Sequence, residues 1–240
     1  MTPLPRLAVL LFGCALVVGG CQQNVVYGET EPSKDGGTGR VYMDREIAGV
    51  MGSEHGALWL DRPERDEEEL PQRLLRALSL NASDVVADIG SGTGFFTFRM
   101  ADLVPSGRVF AVEVQPALVD TIRVRSERMG RRNVTPVLGS ESNPALPAAR
   151  LDLALIVSSY HEFTYPREML SALLAAIKPG GRLVVVEYRA EDATIGIPEL
   201  HRMSQEQIIL EGEAVGFVYR ETIDVLPQQH IVVFSVPAVE

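Results

Sequence analysis

The sequence predicts a mostly parallel, doubly wound α/β sheet of seven strands that finishes in an antiparallel hairpin. Three observations carry this expectation. From residue 84 onward, short β-branched runs alternate with helical patterns, as in a parallel sheet joined by crossover helices. The first of these runs, residues 85–89, leads into a loop with glycine at every second position: Gly90, Gly92 and Gly94. The last two runs, 217–225 and 230–236, are separated only by a short turn containing Pro227, and a hairpin connection makes an antiparallel pair.

Each element follows from its local pattern. Leu70, Leu74, Leu75, Leu78 and Leu80 recur at helical spacing behind the acidic run Asp66–Glu69. Acids suit the positive end of a helix, and Pro71 is tolerated in a first turn. Strand 85–89 is followed by helix 95–103, strand 108–114, helix 116–129 and strand 134–138. Strand 151–157 is continuously apolar but for Asp152, as a strand covered on both faces should be. Helix 166–177 is expected to stop at Lys178-Pro179-Gly180-Gly181, ahead of strand 182–187. Helix 205–215 ends at Gly216, the usual residue after a helix.

Composition excludes several classes of function. Of 240 residues, 46% are hydrophobic and 22% charged, enough to bury a core and too apolar for a disordered chain. The net charge is −10, whereas nucleic-acid binders carry a basic surplus, so no nucleic-acid partner is expected. The two cysteines, Cys14 and Cys21, both lie near the N-terminus. A disulfide framework, a cysteine metal site and a cysteine nucleophile are thereby excluded from the body.

The N-terminus reads as a targeting segment. Arg6 precedes an apolar run over 7–18, and small residues Gly19 and Gly20 follow before Cys21, the layout of a secretory signal. The run is too short to span a bilayer. Val18-Gly19-Gly20-Cys21 resembles a bacterial lipobox, which implies acylation of Cys21 and an exported lipoprotein anchored on the periplasmic side of a membrane. An uncleaved anchor, or a misassigned start and a cytoplasmic protein, stays open beside it. The expected organisation is a signal peptide over 1–20, a flexible tether over 21–40, an N-terminal cover over 41–70 and the main domain over 71–240.

The sharpest motif is Asp88-Ile89-Gly90-Ser91-Gly92-Thr93-Gly94 between a strand and a helix. Glycine lets the chain turn and bring its amides close to a ligand. Glu113 closes the next strand, where an acid bonds ribose hydroxyls in doubly wound folds. The dinucleotide fingerprint requires glycine at position 95, which is Phe95, and no phosphate-loop Lys follows.

Strand, glycines, helix, strand and acid in this register resemble motif I of the class I S-adenosylmethionine-dependent methyltransferases. The likeness covers about residues 71–238, terminal hairpin included, and implies a Rossmann-like fold with S-adenosylmethionine as cofactor. By motif position, Asp88, Gly90, Ser91, Gly92 and Gly94 would frame the methionine end and Glu113 the ribose. Ser140 and Glu141, after the third strand, would lie near the adenine, although the family's usual Asp is absent there. Ser158 ends the fourth strand beside the expected cofactor.

The same strand end supplies Tyr160, His161 and Glu162, three groups able to hold an acceptor or move its proton. A loop-fixing role for them is the competing reading. Alignment alone supplies most of the rate of methyl transfer, so no general base need exist. His55, His201 and His230 stand isolated in the sequence and read as surface or structural residues. The segment from Val41 to Arg65 is similar to the N-terminal extension of a group of bacterial methyltransferase-like proteins, which implies a cover over the site.

The nucleobase amino-methylation signature Asn/Asp-Pro-Pro-Tyr is absent after the fourth strand. A small-molecule or protein methyl acceptor remains, with the oligomeric state open. A membrane-tethered binding or interaction module on an inactive methyltransferase fold is the alternative function.

Overall fold

The computed structural model describes residues 26–50, 56 and 59–238. The expected signal, Cys14, Cys21 and His55 lie outside the described residues. No helix among the described residues is long and apolar enough to cross a membrane.

Three strands open the described chain: β1 (Tyr27–Glu29), β2 (Gly37–Tyr42) and β3 (Arg45–Ala48). Two helices follow, α1 (Arg65–Glu69) and α2 (Pro71–Ala77). The main sheet is built from β4 (Val85–Ile89), β5 (Arg108–Glu113), β6 (Val134–Leu138), β7 (Leu151–Val157), β8 (Ile177–Tyr188), β9 (Val218–Ile223) and β10 (Gln229–Ser235). Between its strands lie α3 (Phe95–Leu103), α4 (Pro116–Arg128), α5 (Pro166–Ala176) and α6 (Gln205–Ala214).

The main sheet has the order β6-β5-β4-β7-β8-β10-β9. The first five strands pair in parallel, while β10 runs antiparallel to both β8 and β9. The predicted sheet and its closing hairpin are both present. Alternate residues serve opposite faces, as the two-residue strand period requires. Val86, Leu153, Leu155 and Val184 pack with Leu74, Leu78 and Met100 on one side. Ala87, Ala154, Ile156 and Val185 pack with Leu170, Leu173 and Ile208 on the other. Strand order reverses between β4 and β7, which opens a crevice at their carboxyl ends.

Three local expectations are corrected. The tether expected over 21–40 contains β1 and the start of β2, which pair antiparallel with each other and with β3. Aromatic and ionic contacts make the difference. Tyr27 and Tyr42 pack at 5.3 Å, and the Arg40 guanidinium lies 4.0 Å above Tyr27 and 4.5 Å above Tyr165. The acidic run does not start the helix at Pro71 but forms α1. Leu70 breaks the two apart in a left-handed conformation, φ 49°, because a residue before proline is disfavoured in the α region. Lys178–Gly181 does not separate helix from strand: β8 already begins at Ile177. The irregularity is absorbed as a register shift against Leu151–Leu153, with Gly180 at φ 75°.

Candidate functional site

A cavity of about 400 Å³ lies at the carboxyl ends of β4, β5, β7 and β8. Its floor is the glycine loop. Gly90 and Ser91 both donate their amides to the Val112 carbonyl at 3.0 Å, which ties the loop to β5. Gly90 adopts φ 70° and Gly92 φ 55°, and both line the cavity. A Cβ on Gly90 would fall 2.6 Å from Ser159 Oγ, and one on Gly92 would fall 2.5 Å from Leu60 Cδ1. Both positions favour glycine: a side chain at either would be strained by the positive φ, and Ser159 or the Leu60 tip would have to shift.

Glu113 is tied into the same loop. Its Oε2 accepts from the Gly92 amide at 3.0 Å. Its Oε1 accepts from the Val114 and Gln115 amides at 2.8 and 3.1 Å. A carboxylate offers about four acceptor positions, so three amides leave one for a ligand hydroxyl. Asp88 lies beneath the loop, 3% exposed, and accepts from the Thr97 hydroxyl at 2.5 Å. Burial pushes its carboxyl up to about 6, against the Thr97 hydrogen bond and the Arg65 charge.

The residues singled out by sequence divide in two. Gly90, Gly92, Glu113, Glu141, Ser158, His161 and Glu162 line the cavity. The others lie away from that lining. Ser91 Oγ donates to the Val112 carbonyl, and Gly94 packs against Phe98, which a Cβ would meet at 2.5 Å. Ser140 lines only an adjoining recess, with Glu141 and Gln115. The expectation that Tyr160 joins His161 and Glu162 is corrected: it is 1% exposed, and its hydroxyl donates to Glu211 at 2.6 Å. Tyr160–Glu162 is a turn of 3₁₀ helix, whose successive side chains diverge by a third of a revolution. Tyr160 therefore joins Arg45 and Glu211, a buried pair at 2.8 Å that binds β3 to α6.

His161 lines the cavity and is tied to that ionic group only through its backbone carbonyl, which accepts from Arg45 at 3.1 Å. Its Nδ1 bonds Glu187 Oε2 at 2.8 Å, and its backbone amide and that of Tyr160 point at Glu187 Oε1. Burial opposes the imidazolium, but Glu187 outweighs it and raises the His161 pKa above the ordinary value. His201 is not isolated: its Nδ1 is 3.1 Å from His161 Nε2. Burial and the His161 charge both lower its pKa.

Trp59, Leu60 and Arg65, expected only as part of a covering segment, stand in the cavity wall, and sequence reasoning missed Glu69 and Tyr188 beside them. Asp61 fastens this N-terminal segment to the body through the Thr93 hydroxyl at 2.6 Å and Arg125 at 2.5 Å. Glu69 accepts from Arg65 at 3.0 Å and from the Tyr188 hydroxyl at 3.1 Å. The acidic run Asp66–Glu69 before Pro71 was the one signal in the sequence for Glu69.

Residues 86–181 match the family model of a methyltransferase domain. A SAM dependent methyltransferase from Aquifex aeolicus superposes with a TM-score of 0.73 at 24% identity, over 78% of this chain and 100% of that one. The fold is the class I methyltransferase fold. The [4+2]-cyclase SpnF shares it at a TM-score of 0.61 and 18% identity, over 70% of this chain and 81% of its own. By sequence, the chain is 32% identical over 113 residues to a protein-L-isoaspartate O-methyltransferase of Ignicoccus hospitalis. That match spans 47% of this chain and 51% of the relative. A ubiquinone/menaquinone biosynthesis C-methyltransferase of Pseudomonas syringae pv. tomato is 29% identical over 123 residues, 48% of each protein. The chain spans about half the length of the curated relatives it matches. Domain and fold imply S-adenosylmethionine as cofactor. The site accommodates that group: the cavity is of ligand size, its floor is open glycine backbone, and Glu113 keeps an acceptor position.

Proposed function

We propose that the chain transfers a methyl group from S-adenosylmethionine to a small-molecule or protein acceptor. The observation that carries this reading is Glu113 Oε2 bonded to the Gly92 amide at 3.0 Å. It joins a carboxylate with a spare acceptor position to the glycine backbone of the cavity floor, which supports reading Glu113 as the ribose acceptor. Gly90 and Gly92 would hold the methionine end, and Glu113 would accept from a ribose hydroxyl. Glu141 and Ser158 would contact the remaining cofactor surface. Bound there, S-adenosylmethionine supplies an already activated methyl group.

The chain's own contribution is alignment and exclusion of water. Trp59 and Leu60 cover the floor from the N-terminal side. His161 and Glu162 receive the acceptor at the polar end, with His161 held in one orientation by Glu187. Asp88, Ser91 and Gly94 support the loop from below. Residues 41–70 act as a cover in this reading, and Cys21 as the lipid attachment of an exported protein.

Isothermal calorimetry of the full chain in mild detergent tests the cofactor reading, with one site per chain expected. No heat at millimolar S-adenosylmethionine would overturn it. Binding without transfer of labelled methyl to any acceptor in a cell extract would favour a tethered binding module instead. Mass spectrometry of the mature N-terminus tests the anchor: an unmodified Met1 would refute it.

A further inference from the structure

The polar end of the cavity holds three ligand-type atoms that converge on one point. His161 Nε2 and His201 Nδ1 are 3.1 Å apart. Glu162 Oε1 is 3.9 Å from the first and 3.8 Å from the second. A point equidistant from all three lies about 2.1 Å from each, the length of a zinc–imidazole or zinc–carboxylate bond. We propose that His161, Glu162 and His201 form a binding site for a divalent transition cation of the zinc class, facing the acceptor end of the cavity.

The surroundings support a metal over an ordinary hydrogen-bonded pair. Metal-binding imidazoles donate their other ring nitrogen to a carboxylate or carbonyl, which fixes the tautomer and aims the lone pair. His161 does this: Nδ1 faces Glu187 Oε2 at 2.8 Å, and Glu187 is fully buried. With the Nδ1 proton held there, Nε2 presents its lone pair to His201. Two ring nitrogens at this distance need a proton or a cation between them, and the carboxylate of Glu162 favours a full cation. Arg45, which donates to the His161 carbonyl at 3.1 Å, is the nearby opposing charge, and Glu211 neutralises it. Two imidazoles and one carboxylate suit zinc, iron or cobalt better than magnesium or calcium.

Three protein ligands leave coordination positions open, as catalytic metal sites do. His161, Glu162 and His201 all line the cavity, so an open position is available to an acceptor oxygen. This last step rests on the proposed methyl transfer, whereas the metal site itself does not.

The test uses the full chain, stripped with chelator and titrated with Co²⁺ while visible absorption is read, followed by competition with Zn²⁺. One equivalent of cobalt should bind with a visible d–d band and be displaced by zinc. His201→Ala, a partly exposed position, should fold with an unchanged circular dichroism spectrum and weaken cobalt binding by about 100-fold or more. Absence of a cobalt band in the wild-type chain, or unchanged binding by H201A, would overturn the site. Calorimetry with S-adenosylmethionine on the same samples keeps the two readings apart. Cofactor binding without cobalt sinks the metal site alone, and cobalt binding without cofactor sinks the methyltransferase reading alone.

Discussion

Asp88→Asn should make the protein more stable, by an amount that depends on pH. Asp88 is buried beneath the glycine loop, and burial raises its carboxyl from the ordinary 3.8 to about 6. A displacement of about two units is worth about 3 kcal/mol between the two protonation states. The direction follows from proton counting. Between about pH 4 and pH 6 the folded chain keeps a proton that the unfolded chain has lost, so stability falls as pH rises through this window and is level above it. Asparagine has the carboxyl's shape, accepts from the Thr97 hydroxyl through Oδ1 and never ionises. Like the protonated acid, it sets donor hydrogens where the second oxygen lies. D88N should therefore gain about 3 kcal/mol over wild type at pH 8, shrinking to roughly 1.5 kcal/mol at pH 5. Urea unfolding followed by circular dichroism at several pH values measures the difference. An advantage that does not change with pH, or a less stable variant at pH 8, would show that the ionised Asp88 is not held at a cost.

Other substitutions test separate parts of the site. Gly90→Ala forces a Cβ to 2.6 Å from Ser159 Oγ at φ 70°; it should cost about 1–2 kcal/mol of stability in strain and lower S-adenosylmethionine affinity at least about tenfold by calorimetry. Glu113→Gln replaces one accepting oxygen with a donor facing the Gly92, Val114 or Gln115 amide. An unmet buried amide costs about 1–3 kcal/mol, so both the unfolding midpoint and cofactor affinity should fall. Tyr160→Phe removes the hydrogen bond to Glu211 and should lower stability by about 1–2 kcal/mol. Because Tyr160 does not line the cavity, Y160F should leave calorimetric cofactor affinity within about twofold of wild type.

What was legible in the sequence follows the range of the interactions involved. Strands β4, β6 and β7 have the predicted bounds; β4 and β7 are central, apolar and covered on both faces, whereas the edge strand β6 was marked by its Val-Thr-Pro-Val-Leu run alone. The glycine loop was legible for the same reason: positive φ leaves a mark in residue type. β1 and β2 were not, because Gly36, Gly37 and Gly39 read as a linker and the strands are held by residues 125 and more positions away. Tyr165, Glu168 and Glu211 supply those contacts through Tyr27, Arg40 and Arg45. His201 lies 40 residues from His161 and meets it only through the long segment after β8. Tyr160, adjacent to His161 in sequence, failed for the opposite reason: neighbours in a tight turn do not share a direction.

The strand order explains why one cavity can hold both kinds of chemistry. β5 and β7 flank β4 on opposite sides. Glu113 therefore reaches the glycine loop from one side while Ser158–Glu162 approach from the other. β8 lies beyond β7 and ends in Glu187 and Tyr188, beneath His161 and beside Glu69. Glu187 is the informative residue in this arrangement. Its neighbours along the same face, Leu183 and Val185, are core side chains, and an apolar residue there would complete the packing with no charge to desolvate. A carboxylate at that depth is instead spent on fixing the His161 ring and the turn that carries it. That position makes sense where the outward nitrogen of His161 has a ligand to meet. The polar end of the cavity is thus as firmly oriented as the glycine floor, and under the proposed methyl transfer it is where the acceptor would bind.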